Sequence, residues 1–304
     1  MTAFVFPGQG SQYAGMGKDL AENFSQARHA FEEANDALGM DLAKLCFDGP
    51  EEDLKLTANT QPAIVTTSIA ALRVVQEEAG LVPDYVAGHS LGEYAALVCA
   101  GALSFEDAVR TVRQRGNFMQ DAVPVGVGTM AAIIGLDAQV VDEVCDEVAQ
   151  QEVVAPANYN SPGQIVIAGH VAAVERAMAL AKERGAKRAL PLPVSAPFHC
   201  RLMEPAARQL EAVLGEVSVS DLTCPVISNV EATPNRKAGA VRDLLVKQVY
   251  SPVRWEESVR TMTAEGVDRF IEIGPGKVLS GLIKRIARGS KIQNIGTVDD
   301  LKSF

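Results

Sequence analysis

Pro83-Asp84-Tyr85-Val86-Ala87-Gly88-His89-Ser90-Leu91-Gly92-Glu93 reads as an apolar strand that enters a tight turn and leaves it as a helix. Pro83 precedes the strand, which ends at Gly88, and the helix runs from about Leu91 to Ala100. The centre matches G-x-S-x-G, in which the glycines allow a sharp bend that exposes the serine oxygen. The same alternation continues outward. Ala3 to Phe6 reads as a buried strand, and Leu20 to Leu38 and Ala63 to Ala79 have helical periodicity. Ser104 with Asp107 starts another helix, to about Asp121, in the manner of a capping box. Strands near Val226 and from Phe270 to Ile273, with a helix from Val278, resume the pattern late in the chain. Strand and helix in alternation imply an α/β fold on a parallel sheet with helices on both faces.

The middle has another rhythm. Val127 to Ile134 is strand-like, Ala138 to Gln150 helical, Val153 to Ala157 and Gln164 to Ala168 are short strands around the turn Asn160-Ser161-Pro162-Gly163, Ala172 to Arg184 is helical and Arg188 to Val194 a strand. That order, β-α-β-β-α-β, is a ferredoxin-like unit. The expected organisation is one α/β domain, residues 1–123 and 196–304, interrupted by an inserted ferredoxin-like subdomain, 124–195.

Composition narrows the function. With 28 Lys plus Arg against 38 Asp plus Glu, the 304-residue chain carries a net charge of −10, which argues against a nucleic-acid or anionic-membrane binder. Five dispersed cysteines without a C-x-x-C pair read as free thiols of a reducing compartment. The first residues lack the basic region of a signal peptide, and every apolar run breaks before about 18 residues. The expected setting is the cytoplasm. The charge is uneven: residues 1–123 hold 8 basic and 17 acidic side chains, whereas Ile273 to Val298 holds Lys277, Lys284, Arg285, Arg288 and Lys291 and no acid. That run is either a solvated face or a docking surface.

Two nucleotide motifs fail. Gly8-Gln9-Gly10-Ser11-Gln12-Tyr13 has Tyr where a dinucleotide turn needs its third glycine, and Gly17-Lys18 lacks the earlier glycine of a phosphate loop. Ser90 survives as a nucleophile, with the backbone N–H of Leu91 directed at a developing oxyanion. Of four histidines, His29 and His170 belong to helices and His89 adjoins Ser90 on a strained bend. His199 remains as the base, in the loop Ser195-Ala196-Pro197-Phe198-His199-Cys200. No acid between Ser90 and His199 makes a convincing third member, so a Ser-His dyad oriented by a backbone carbonyl is the alternative to a triad. At 100° per residue Arg115 falls about 60° from the centre of its helix's apolar face. Its partner is either a ligand carboxylate or an internal Asp or Glu.

Six segments together resemble the malonyl-CoA:acyl-carrier-protein transacylases: Phe6-Pro7-Gly8-Gln9-Gly10-Ser11-Gln12, Gly88-His89-Ser90-Leu91-Gly92-Glu93, Gln114-Arg115-Gly116, Asn158-Tyr159-Asn160-Ser161-Pro162-Gly163-Gln164, Pro197-Phe198-His199 and Glu272-Ile273-Gly274-Pro275-Gly276. The resemblance spans residues 4 to about 283. It implies an α/β-hydrolase-like core with the ferredoxin-like insert, Ser90 as nucleophile, His199 as base, an oxyanion hole from the backbone N–H groups of Gln9 and Leu91, and Arg115 holding the malonate carboxylate. It also implies that the Gln248 carbonyl orients His199 and that Gln61 and Asn160 line the pocket. Phe198 resembles the malonyl-selecting form of related polyketide acyltransferase domains. The implied reaction moves malonyl from malonyl-CoA to the phosphopantetheine thiol of an acyl carrier protein, without cofactor or metal. The chain length favours the fatty acid synthesis role, and a monomer is expected because no apolar patch declares itself. The alternatives are a serine thioesterase or other hydrolase, an acyltransferase serving polyketide synthesis, and a non-catalytic carrier-protein-binding module.

Overall fold

The computed structural model describes residues 1–194 and 196–302; Ser195, where the expected insert ends, and residues 303 and 304 lie outside it. Ten strands form two sheets. In chain order they are β1 (Thr2–Phe6), β2 (Tyr85–Gly88), β3 (Gly128–Ile134), β4 (Val154–Ser161), β5 (Gln164–His170), β6 (Arg188–Pro191), β7 (Val226–Ile227), β8 (Pro234–Asn235), β9 (Arg269–Ile273) and β10 (Lys291–Ile295). The first sheet has the order β10-β9-β1-β2-β7-β8. Its neighbours are parallel except β7 with β8.

Every residue of β1 from Ala3 to Phe6 is buried, because helices cover both faces of a central parallel strand. Alternation along the strand sends Phe4 and Phe6 into one hydrophobic core and Ala3 and Val5 into another, beside Trp255 and Phe270. The second sheet is antiparallel, order β4-β5-β3-β6. Helices Ala138–Ala149 and Val171–Glu183 pack on it around a third core that includes Ile133, Val144, Ile167 and Val174. Among the described residues no helix is long and apolar enough to cross a membrane.

The structure differs from the sequence reading at several places; among them, β6 ends at Pro191 rather than Val194 and the short edge strand β8 is new. The expected helix Leu20 to Leu38 breaks at Phe24, whose backbone is extended, into Lys18–Asn23 and Ser25–Leu38. The helix expected from Ala63 starts at Thr57 and contains Pro62. Pro62 has no N–H for the carbonyl of Ala58, and Arg113 Nη1 donates to that oxygen instead, at 2.8 Å. Strand β4 runs on to Ser161, with register shifts near its end. Strand β10 was not expected, since Lys-Ile-Gln-Asn-Ile shows no apolar alternation and lies at the sheet edge, where one side needs no partner.

The bend after β2 depends on two close approaches. A Cβ on Gly88 would sit 1.9 Å from the carbonyl carbon and oxygen of Gly92, and one on Gly92 would sit 2.3 Å from the Phe6 oxygen. Backbone on both sides leaves nothing flexible to yield. Gly88→Ala is expected to destabilise the fold by about 3 kcal/mol; urea unfolding within about 0.5 kcal/mol of the parent would show that the bend tolerates a methyl group.

Candidate active site

Ser90 stands between β2 and the helix Gly92–Cys99 with φ 52°, a left-handed conformation that costs a residue with a Cβ. Two ties hold it. The Ser90 N–H donates to Asn229 Oδ1 at 2.7 Å, and its carbonyl accepts from Gln248 Nε2 at 2.9 Å. Ser90 Oγ lies 2.8 Å from His199 Nε2. His199 also has positive φ, 60°, and its Nδ1 is 2.8 Å from the carbonyl oxygen of Gln248.

Gln248 lies in the last turn of the helix Ala238–Tyr250, where carbonyls have no partner within the helix. An Nδ1–H donated there leaves Nε2 as the acceptor facing the serine hydroxyl, the tautomer that proton abstraction requires. Among the described residues no carboxylate is hydrogen-bonded to His199. Burial, with the positive charge of Arg115, pushes the imidazole pKa down to about 3.

Arg115 is 1% exposed. Its Nη1 donates to Gln61 Oε1 at 2.7 Å, and its Nη2 donates to Gln248 Oε1 at 2.9 Å and to Ser90 Oγ at 3.1 Å. The guanidinium lies 5.8 Å from the centre of the Tyr94 ring, and its Nε has no hydrogen-bond partner among the described residues. The internal salt bridge that the sequence left open is not formed by any described residue. A buried cation beside a serine oxygen, ringed by neutral acceptors, has the charge to receive an anion.

Ser90, His199, Arg115, Gln61, Gln9 and Leu91 line one cleft of about 120 Å³. Met119, Met130, Leu192, Val194 and Phe198 form its apolar wall, and His89 and Asn158 complete the lining. No acceptor among the described residues takes the backbone N–H of Gln9 or Leu91.

A family profile described as "Acyl transferase domain" matches residues 3–301. The chain is 55% identical to the malonyl CoA-acyl carrier protein transacylase of Escherichia coli (strain K12), over 93% of this chain and 92% of the relative. The solved structure of the transacylase from Coxiella burnetii superposes with a TM-score of 0.97 at 46% identity, covering 99% of this chain and 96% of that one. A malonyl-transacylase solved in complex with its type II PKS acyl-carrier protein also scores 0.97, at 51% identity, covering 99% of this chain and 98% of that chain. The chain belongs to the malonyl CoA-acyl carrier protein transacylase family.

Within this transacylase site, one expected residue lies elsewhere. Asn160 does not line the cleft: its Oδ1 is 2.9 Å from His89 Nε2, and Asn158 takes the lining position. The register shifts of β4 on either side of Tyr159 undo simple alternation there. The basic run also divides. Lys277 lies 3.6 Å from Asp300, Arg285 donates to Gln164 Oε1 at 2.8 Å, and Lys291 belongs to β10. Lys284 and Arg285 sit in the last turn of the helix Val278–Ile286, with exposed Arg288 just beyond. The carboxylate of Glu272 is not part of the cleft; buried, it accepts from the N–H groups of Leu279 and Ser280 and caps that helix.

Sequence reasoning missed Glu93 and Asn229. Glu93 is 2% exposed, its Oε2 accepts from Gln248 Nε2 at 2.8 Å and from Asn229 N at 3.1 Å, and burial pushes its carboxyl up to about 7. The signal was a single charge in an otherwise apolar helix, Gly92–Cys99. Asn229 had no such signal.

The depressed His199 pKa sets a sign. The unfolded chain protonates this histidine near about 6.5, so stability present above that pH is lost as the pH falls toward about 3. Imidazole nitrogen NMR is expected to find His199 neutral at pH 5; a midpoint at the usual 6.5 would contradict the assigned cause.

Proposed function

We propose that Ser90 and His199 carry malonyl from malonyl-CoA to the phosphopantetheine thiol of an acyl carrier protein, for fatty acid synthesis. The observation that carries the reading is Arg115, a buried cation 3.1 Å from the serine oxygen with no carboxylate paired to it among the described residues. An acyl group esterified to Ser90 starts beside that guanidinium. Malonyl brings a carboxylate two carbons further on, and acetyl brings nothing, which leaves the cation unanswered.

In this reading His199 Nε2 takes the Ser90 proton as Oγ attacks the thioester carbon. The N–H groups of Gln9 and Leu91 hold the tetrahedral oxyanion. The Gln248 carbonyl, at the negative end of its helix, steadies the imidazolium. Collapse of the intermediate breaks the C–S bond, and His199 returns its proton to the departing thiolate of coenzyme A. The carrier-protein thiol then attacks the seryl ester by the same steps, so the kinetics are ping-pong. These groups account for each proton and charge without metal or redox cofactor. The apolar wall of Met119, Met130, Leu192, Val194 and Phe198 disfavours water, which supports transfer over a thioesterase reaction. The division into a body, 1–123 and 196–304, and an insert, 124–195, belongs to the same proposal.

The carrier-protein complex of a relative supports the partner, and its polyketide setting keeps that pathway as a second reading. Docking is assigned to Lys284, Arg285 and Arg288, which are exposed. Lys277 contributes less because Asp300 offsets it. Positive charge there suits an acidic carrier protein.

Intact mass after mixing with malonyl-CoA alone should show one malonyl adduct, absent in Ser90→Ala and transferable to holo carrier protein. Arg115→Ala should keep an adduct but lose tenfold or more in preference for malonyl-CoA over acetyl-CoA, on the order expected for an unpaired charge. Rapid hydrolysis would favour the thioesterase, and no adduct would favour the binding module. Lys284→Glu with Arg288→Glu should slow transfer to carrier protein and flatten its salt dependence; an unaltered salt dependence would place docking elsewhere.

A further inference from the structure

The buried Glu93 carboxylate takes no part in the proton transfers proposed above. It does not touch His199, and it does not pair with Arg115 at ion-pair distance. Its contacts are with Gln248 Nε2 and the Asn229 N–H. Gln248 is the residue whose backbone carbonyl meets His199 and whose side-chain oxygen meets Arg115.

The orientation of the Gln248 amide is therefore consequential. Its Nε2 faces three oxygens, Glu93 Oε2 at 2.8 Å, the Ser90 carbonyl at 2.9 Å and Asn229 Oδ1 at 3.5 Å. Its Oε1 faces the Arg115 guanidinium at 2.9 Å. Turning the amide over would set an oxygen against those oxygens and an NH2 group against the cation. The Glu93 carboxyl oxygen is the nearest of the three, and Gln248 is 0% exposed.

We infer that Glu93 is a positioning residue for substrate selection: its carboxyl oxygen fixes the Gln248 amide, and that amide holds Arg115 where the acyl carboxylate arrives. The inference rests on Arg115 acting as the carboxylate clamp. It assigns Glu93 first to selectivity. Glu93 also meets both residues that hold the Ser90 backbone, Gln248 and Asn229, but the Asn229 side chain keeps its own hold there, its Oδ1 taking the Ser90 N–H and its Nδ2 donating to the Gly88 carbonyl at 2.6 Å.

Two conservative variants separate acceptor position from charge. Glu93→Gln keeps an acceptor oxygen at the same reach and removes the charge. Glu93→Asp keeps the charge and withdraws the oxygen by one methylene. The readout is the ratio of kcat/KM for malonyl-CoA to that for acetyl-CoA, with melting temperature measured alongside. Glu93→Asp is expected to lower the ratio roughly tenfold, mainly through KM for malonyl-CoA, and Glu93→Gln to hold it within about threefold of the parent. A purely structural role would lower both substrates' kcat/KM and the melting temperature together and leave the ratio alone. An unchanged ratio in Glu93→Asp, or a loss confined to Glu93→Gln, overturns the inference. Arg115→Ala run in parallel keeps the two claims apart. If it spares the ratio, the clamp itself is wrong; if it collapses the ratio while Glu93→Asp does not, only the role of Glu93 falls.

Discussion

Arg115 is a cation held inside the protein with no carboxylate hydrogen-bonded to it among the described residues, and most of the polar architecture of the site follows from that. Removing a guanidinium from water costs several kcal/mol unless its donors are met. Here they are met by neutral oxygens, Gln61 Oε1, Gln248 Oε1 and Ser90 Oγ, with the Tyr94 ring to one side. Each of those oxygens needs a reason to point inward. Gln61 is on the helix Thr57–Ala79, Gln248 on Ala238–Tyr250 and Ser90 on the bend after β2, so three separate elements converge on one charge. The same charge acts on His199, where it adds to burial in keeping the imidazole neutral. A neutral base next to a fixed cation suits a reaction in which the substrate supplies the negative charge.

Gln248 joins the two halves of the proposed chemistry. Its main-chain carbonyl is available because it lies at a helix C-terminus, which is a property of backbone geometry and indifferent to side chain. Its side chain is specific, since only an amide presents an oxygen to Arg115 and a nitrogen to Glu93 and Ser90 at once. Loss of the side chain would leave the contact with His199 and disturb the guanidinium. Orientation of the base and recognition of the acyl carboxylate are thus separable in chemistry although they share one residue.

Local pattern made much of this legible from sequence. The two glycines around Ser90 announced the bend because the backbone there leaves no space for a Cβ. Angular position placed Arg115 on the buried edge of its helix, where it lies. The unequal success with strands has the same origin. Strands β1 and β3 are continuous apolar runs under helices, whereas β10 is an edge strand with little to bury. The break at Phe24 was hidden because helical periodicity continues across it. Asn229 was invisible for a different reason. Its contacts with Gly88, Ser90 and Glu93 span separations of 141, 139 and 136 residues, and no local spacing encodes a contact of that range. Asn160 misled through β4, whose register shifts alter which residues share a face.

The smaller sheet contributes no atom to the proposed proton transfers, yet it determines what the cleft can hold. Met130 on β3 and Asn158 on β4 line the cleft together with Ser90. Tyr159 N donates to the Val253 oxygen and Val253 N to the Ala157 oxygen, both at 2.9 Å, while His89 meets Asn160 and Arg285 meets Gln164. These contacts fasten β4 and the β4–β5 turn to Val253, His89 and Arg285, which lie outside the smaller sheet. A wall fastened by backbone hydrogen bonds keeps a narrow cleft narrow, and a narrow apolar cleft limits the water that reaches a seryl ester. In the proposed reaction, proton transfer would then depend on the larger sheet and its helices, and the lifetime of the seryl ester on how the smaller sheet is attached. The His89–Asn160 contact bears on both, because His89 adjoins Ser90, the proposed nucleophile.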